Sequence, residues 1–286
     1  MTYSIIGRDE ASGELGVAVQ SRAFGVALCA WARPGVGAVA TQAFTERGYG
    51  PRGLDRLAAG RAPADALAEL LAADEQRDFR QVAFLAADGR TAAHTGSACI
   101  PDCGHVSREG LSAQGNMLAS PAVWHAAAVT FETTRGNLAE RLLAALDAAE
   151  DAGGDFRGRE SAALVVVSGD RDEDPWHRVF DLHVDNHAEP LQELRRLYRI
   201  AAAYRRRRDF DERTSLEEEV ELAREAGLPD DQVALSAAIV AVAHGDFDEA
   251  AERLRPIGES DPRWRETLER YVRLGHMPAG VLDRLG

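Results

Sequence analysis

Hydrophobic and polar positions divide the chain into two stretches of different character. Over the first, short apolar runs alternate with turn residues. Residues 2–8 alternate toward a strand, Asp9, Ser12 and Gly13 mark a turn, and Leu15–Gln20 reads as a second strand, so the chain opens as a hairpin. Val36–Gln42 is a third strand, bracketed by Pro34-Gly35 and by the polar segment Thr45–Gly48. Pro51–Ala59 and Pro63–Ala73 carry apolar residues at three and four spacing behind a proline, the pattern of two helices. Strands return at Gln81–Ala86, Thr91–Thr95 and Leu111–Leu118, with Asp88-Gly89 as the turn between the first two. Pro121–Thr133 and Leu138–Ala149 predict two further helices, the second ended by Gly153-Gly154-Asp155. Ser161–Ser168 is the most strand-like run, and Val179–Val184 is its expected partner.

Strands and helices thus come in clusters: β-β-β, α-α, β-β-β, α-α, β-β. A doubly wound parallel sheet would alternate strictly, so the order predicts an α+β fold of two packed antiparallel sheets with helix pairs outside, a four-layer αββα sandwich. After Pro190 the pattern is helical without a convincing strand. The boundaries expected are therefore a domain over 1–190 and a helical extension over 191–286. Val233–Arg255 reads as helix, turn, helix around His244-Gly245-Asp246, with Ala250 and Ala251 as small packing residues, which looks like one tetratricopeptide-type hairpin. Leu191–Gly227 supplies a degenerate preceding unit or, equally, a plain helical appendage.

Composition narrows the function classes. Hydrophobic residues make up 45% of the 286 positions, enough for a real core. A net charge of −14 repels phosphates and anionic headgroups, so neither nucleic acid nor a membrane surface is expected as partner. Arg205–Arg208 is followed by Asp209, Asp211 and Glu212 and reads as a solvated helix face. All 33 basic residues are arginine. Arginine stays protonated, so side-chain amine chemistry is excluded and only the α-amino group titrates near neutrality. Cys29, Cys99 and Cys103 give no disulfide framework. The opening residues show no basic-then-apolar leader and no apolar stretch approaches a membrane span, which places the expected location in the cytoplasm.

Several ordered segments carry a family resemblance. They include Thr2-Tyr3-Ser4-Ile5, Gly16–Ser21, Gly37–Gln42, Tyr49–Leu54, Ala113–Leu118, Gly153-Gly154-Asp155, Arg157-Gly158 and Ser161–Leu164. From Thr2 to about Pro190 the chain resembles domain-of-unknown-function family 1028, placed in the N-terminal-nucleophile (Ntn) hydrolase superfamily. Glu160 stands where that pattern has Gln, Asn186 where it tends to Asp, and Cys103 lies outside it. The resemblance implies a mature N-terminus at Thr2, whose hydroxyl attacks amide bonds. It also implies the frequent helical, sometimes tetratricopeptide-like, C-terminal extension.

The candidate chemistry follows from that implication. A threonine at the terminus unites a nucleophilic hydroxyl with an α-amine whose ordinary pKa is about 7.7–8.0, so nucleophile and base arrive in one residue. Proteasome-type relatives also use an internal lysine, which this chain lacks. Ser4 shares the face of Thr2 and is assigned to orienting the amine. Asn116, within Gln114-Gly115-Asn116, is the oxyanion-hole candidate. Gln20, Ser21, Gln42, Gln114 and Arg157 are assigned to substrate contact. Arg157 can clamp a carboxylate or, more simply, form an ion pair with Asp155. His94, Cys99, Cys103 and His105 have ligand chemistry but no standard zinc spacing. His183, Asp185 and His187 would share a face only if their strand ran on toward Pro190. No metal and no cofactor are therefore expected. These readings define an amidohydrolase for a small amide or peptide-like substrate, against the alternative of a catalytically silent scaffold whose helical tail binds a protein partner. The tail helices and the resemblance make a homodimer reasonable.

Overall fold

The computed structural model describes residues 2–285. The chain forms two compact units, one ending at Arg195 and the other beginning at Arg196.

In the first unit, β1 (Thr2–Arg8) lies inside a six-stranded sheet between β2 (Leu15–Ser21) and β8 (Leu111–Asn116). The order is β10-β9-β2-β1-β8-β7, with β7 Gly104–Arg108, β9 Ser161–Val167 and β10 Phe180–Val184. A second sheet runs β3 (Ala30–Arg33), β4 (Gly37–Ala43), β5 (Arg80–Ala86), β6 (Thr91–Thr95). Every ladder is antiparallel.

Alternation gives each strand two destinations. Ile6 of β1 joins Leu15, Val17, Ala38, Ala40, Ala83, Leu85, Val165 and Val167 in one buried cluster drawn from both sheets, which therefore face each other. The opposite face of β1 meets helices. Gly7 pairs with Gly16. A Cβ on Gly7 would stand 2.5 Å from Phe131 Cζ, and one on Gly16 2.7 Å from Leu142 Cδ1. The missing side chains thus let α3 (Ala122–Thr133) and α4 (Leu138–Asp151) lie directly on the sheet. A capping box starts α4: Glu140 N–H donates to Asn137 and Asn137 N–H to the Glu140 carboxylate. On the four-stranded sheet, Val39, Val82 and Phe84 are covered by Leu54 and Leu57 of α1 (Tyr49–Ala58) and Leu67 and Leu70 of α2 (Pro63–Ala72).

Two strands, β3 and β7, were not legible in the pattern. Both are edge strands. β3 has four residues, too few to show a period, and β7 (Gly-His-Val-Ser-Arg) carries mainly polar side chains.

The helical C-terminal region contains α6 (Leu216–Glu225), α7 (Asp230–Ala243), α8 (Phe247–Ser260), α9 (Pro262–Arg273) and α10 (Ala279–Leu285). It is reached through α5 (Pro190–Arg206), whose first residues Leu191 and Leu194 are buried. The helix starts at Pro190, where the helical region is expected to begin, because a proline at the first helical position has the backbone angle a helix needs. α7 and α8 form a hairpin turned by Gly245 at φ 76° and capped by Asp246, which accepts from Glu249 N–H. Leu235, Ala238 and Ala241 pack there with Ala250, Ala251 and Leu254. No helix among the described residues is long and apolar enough to cross a membrane.

Candidate active site

Between the sheets the lining changes from apolar to polar along the strands. Beyond Ile6 the inward residues of β1 are Ser4 and Thr2. Thr2 stands opposite Ser21 on one side and Asn116 on the other, and Ser4 opposite Gln114. Directly paired residues share a face, so all five side chains project into the space between the sheets. From the other sheet come Gln42, Gln81 and Thr95, successive partners across β4, β5 and β6.

These groups form one hydrogen-bonded network. The Thr2 hydroxyl donates to Ser21 Oγ at 3.1 Å. Ser4 Oγ donates to Gln42 Oε1 at 2.8 Å, and Gln42 Nε2 donates to the Thr2 carbonyl at 3.0 Å and to Gln81 Oε1 at 2.8 Å. Asn116 Nδ2 also donates to Gln81 Oε1, at 2.9 Å. Gln81 Nε2 is shared among the Gly115 carbonyl at 2.8 Å, Thr95 Oγ1 at 2.9 Å and the Gly104 carbonyl at 3.1 Å. Gln114 Nε2 lies 3.4 Å from Ser4 Oγ and 3.3 Å from the Ala40 carbonyl, and its Oε1 has no partner among the described residues. Thr2 is 5% exposed and Asn116 2%, so the nucleophile candidate and its neighbour are both buried at this end of the sheets.

Thr2, Ser4, Ser21, Gln42, Gln114 and Asn116 are thus brought together. Gln20 is not. It pairs with Tyr3, whose hydroxyl donates to Glu150 Oε2 of α4 at 2.7 Å, so both point toward the helices and away from Thr2. The one-residue alternation of a strand excludes Gln20 from substrate contact. Burial, reinforced by the neighbouring Glu150 carboxylate, holds the Tyr3 phenol well above its usual pKa. Arg157 is committed to Asp155, donating through Nε at 3.3 Å and a terminal nitrogen at 3.1 Å. Asp155 also accepts from the Arg22 N–H at 3.1 Å and the Arg157 N–H at 3.0 Å. The pair therefore fastens the segment after Ser21, the simpler of the two roles expected of Arg157.

Gln81 was missed as a site residue, although it joins more of the network than any predicted one. The available signal was its place in the inward series Gln81, Ala83, Leu85: a polar side chain where the pattern demands an apolar one.

Two residues leave this end of the sheets in the left-handed region without being glycine: Ala43 (φ 68°), directly after Gln42, and Met117 (φ 52°), directly after Asn116. Such conformations cost about 1–3 kcal/mol each and persist where the surroundings impose them.

The metal candidates have other partners. His94 Nε2 is 2.9 Å from the Arg77 carbonyl, His105 Nδ1 2.9 Å from Thr95 Oγ1, and Cys99 Sγ 3.4 Å from the Arg80 carbonyl. Burial pulls the His105 imidazole down, helped by nearby His94, and pushes the thiols of Cys29, Cys99 and Cys103 up, away from nucleophilic thiolate. β10 ends at Val184, so His187 lies beyond the strand, and His183 pairs with Asp181 at 2.7 Å. Among the described residues no three His, Cys, Asp or Glu side chains are placed to hold a metal ion. In the helical unit a cavity of about 310 Å³ is lined by Leu268, Leu282 and Leu285 with Arg255, Glu259 and Arg265, and it holds no nucleophile.

An α+β domain of antiparallel sheets, with a buried amide-rich network between them at one end of the strands, is the class this architecture defines. The chain belongs to the family of unknown function DUF1028, whose sequence pattern matches residues 2–194. It is similar to the crystal structure of protein SPO2555 from Silicibacter pomeroyi, a DUF1028 structure, at 32% identity and a TM-score of 0.62 over 69% of this chain and 87% of that one. No curated protein matches the chain.

Proposed function

We propose that the first unit is a four-layer αββα domain of the Ntn-hydrolase type and hydrolyses a small amide or peptide-like bond through Thr2. The observation that carries this reading is the placement of Thr2. Its hydroxyl opens β1 at the end of the inter-sheet cleft, bonded to Ser21 and flanked by Asn116. Removal of Met1, which the mechanism needs, lies outside the described residues.

In the proposed reaction the free α-amine of Thr2 takes the proton of Oγ as Oγ attacks the carbonyl carbon. Asn116 Nδ2 has two N–H groups. One is engaged by Gln81, and the other is assigned to the oxygen that becomes negative in the tetrahedral intermediate. The C–N bond then breaks, the amine proton passes to the leaving nitrogen, and an ester on Thr2 remains. Water hydrolyses that ester with the α-amine again as base, releasing the carboxylic acid. Ser4 acts indirectly: it orients Gln42, which holds the Thr2 carbonyl. Intact-mass and N-terminal sequencing of purified protein test the premise. The expected chain starts at Thr2, and it hydrolyses members of a panel of small amides and acylated amino acids that the Thr2→Ala protein does not.

The bonding of the Thr2 hydroxyl, Gln42, Gln81 and Asn116 to one another favours a second reading, a catalytically silent scaffold whose tetratricopeptide-like tail binds a protein partner. A retained Met1 with no turnover supports it. Cytoplasmic location and a homodimer accompany the first reading as proposals.

A further inference from the structure

The strand ends that carry Thr2 and its neighbours are followed or preceded by apolar side chains that the fold leaves in water. Phe24, Leu28, Phe44, Phe79, Ile100 and Phe156 are each between 48% and 76% exposed. Their positions in the chain bring them to one end. Phe24 and Leu28 follow Ser21, Phe44 follows Gln42, and Phe79 precedes Gln81. The N–H of Met117, next to Asn116, donates to the Ile100 carbonyl at 3.3 Å, and Phe156 N–H donates to the Met117 carbonyl at 3.2 Å. The six therefore come from segments of both sheets and lie at the end that carries Thr2, Ser21, Gln42 and Asn116.

These side chains are held there at a cost. Phe44 is presented by Ala43 in the left-handed region, and Ile100 and Phe156 are both tied to Met117, in the same region. The Arg80 guanidinium is buried and donates to the Phe44 carbonyl at 2.6 Å, to Asp74 at 2.8 Å and to Gln76 Oε1 at 3.0 Å. It also lies 5.4 Å from the Phe44 ring, which meets Phe79 edge-on at 6.4 Å. A strained backbone and a buried cation thus fix exposed aromatic groups at the end of the sheets that carries the polar network. Binding sites combine such apolar walls with a few inner polar groups.

We propose that these six residues form an apolar collar that selects amides carrying an uncharged aliphatic or aromatic acyl group. The acyl chain lies against the collar while its carbonyl reaches Thr2, so the reactive half of this inference rests on the amidohydrolase reading. Each buried methylene favours binding by about fourfold, and burying half of an octanoyl chain's six extra carbons gives roughly sixtyfold over acetyl.

The test uses full-length Thr2→Ala protein titrated calorimetrically with N-octanoylglycinamide and N-acetylglycinamide. We expect the octanoyl compound to bind at least tenfold tighter, and Phe44→Ser and Phe156→Ser to remove most of that preference without altering the melting temperature. Equal binding of the two, or binding of neither, overturns the collar. So does a solution mass that falls from dimer to monomer in Phe156→Ser while octanoyl binding is absent, because the ring is then an interface between two copies. Tight octanoyl binding with no turnover by the wild type supports the collar and counts against the Thr2 reaction. Thr2-dependent turnover with equal binding of both probes does the reverse.

Discussion

Gln81 and Gln20 are both fully buried glutamines on β-strands, and they have opposite energetics. Gln81 satisfies five groups through one amide. Gln20 has no partner for either amide atom among the described residues. Removing one member of a satisfied buried network leaves its partners desolvated and unpaired, whereas replacing an unpaired polar group by an apolar one of similar size removes a penalty. Gln81→Leu is therefore expected to destabilise the domain by about 3 kcal/mol and to abolish hydrolysis. Gln20→Leu is expected to be neutral or to stabilise by about 1 kcal/mol, with activity intact. Denaturant unfolding of both variants checks the pair, and equal losses would show that Gln20 has bonds of its own. The sequence made half of this visible. The alternation of β1 and β8 places Thr2, Ser4, Gln114 and Asn116 together, but the face of Gln20 depends on its register against β1, which no local pattern contains.

Among the elements, the loop between α2 and β5 ties Phe44 and Phe79 to a buried ion pair. Arg80 begins β5 with its side chain turned outward, 7% exposed, against Asp74, 15% exposed. Asp74→Asn leaves a buried guanidinium without its counter-ion, and we expect a loss of about 3 kcal/mol together with weaker order at Phe44 and Phe79. The hydrogen bonds from Arg80 hold the Asp74 carboxyl below its ordinary value of 3.8. A depressed carboxylate contributes stability that is present above the unfolded value and lost as pH falls through the folded one. The wild-type melting temperature should thus drop on acidification below about pH 4, and the drop should be shallower in Asp74→Asn. Parallel curves would contradict the assignment. Such a loop is poorly legible in advance, because Asp74-Glu75-Gln76-Arg77-Asp78 reads as an ordinary solvated stretch. By contrast the helices α1 to α4 and eight of the ten strands follow from periodicity, since each buries one face against a neighbour.

At the scale of the whole molecule, the chain divides into two units. The first closes its sheets before Pro190 yet extends through Arg195, where Leu191 and Leu194 are buried and Arg195 pairs with Asp147. A chain ending at residue 196 should therefore fold with a cooperative transition, while one ending at 190 should melt lower, having lost two buried leucines worth about 2–3 kcal/mol each. Aggregation of the longer truncation would show that the helical unit is needed for the first to fold. The central claim, that Thr2 is an N-terminal nucleophile, is tested most directly by preparing one protein with two N-termini. In one preparation Thr2 is free, and in the other an uncleaved residue precedes it, with every other atom of the network unchanged. The account predicts that the free form hydrolyses its amide substrate with a rate that rises through about pH 7–8 as the amine loses its proton. It predicts that the blocked form is as inactive as Thr2→Ala. Full activity in the blocked form, with the extra residue shown by mass to remain in place, would contradict it.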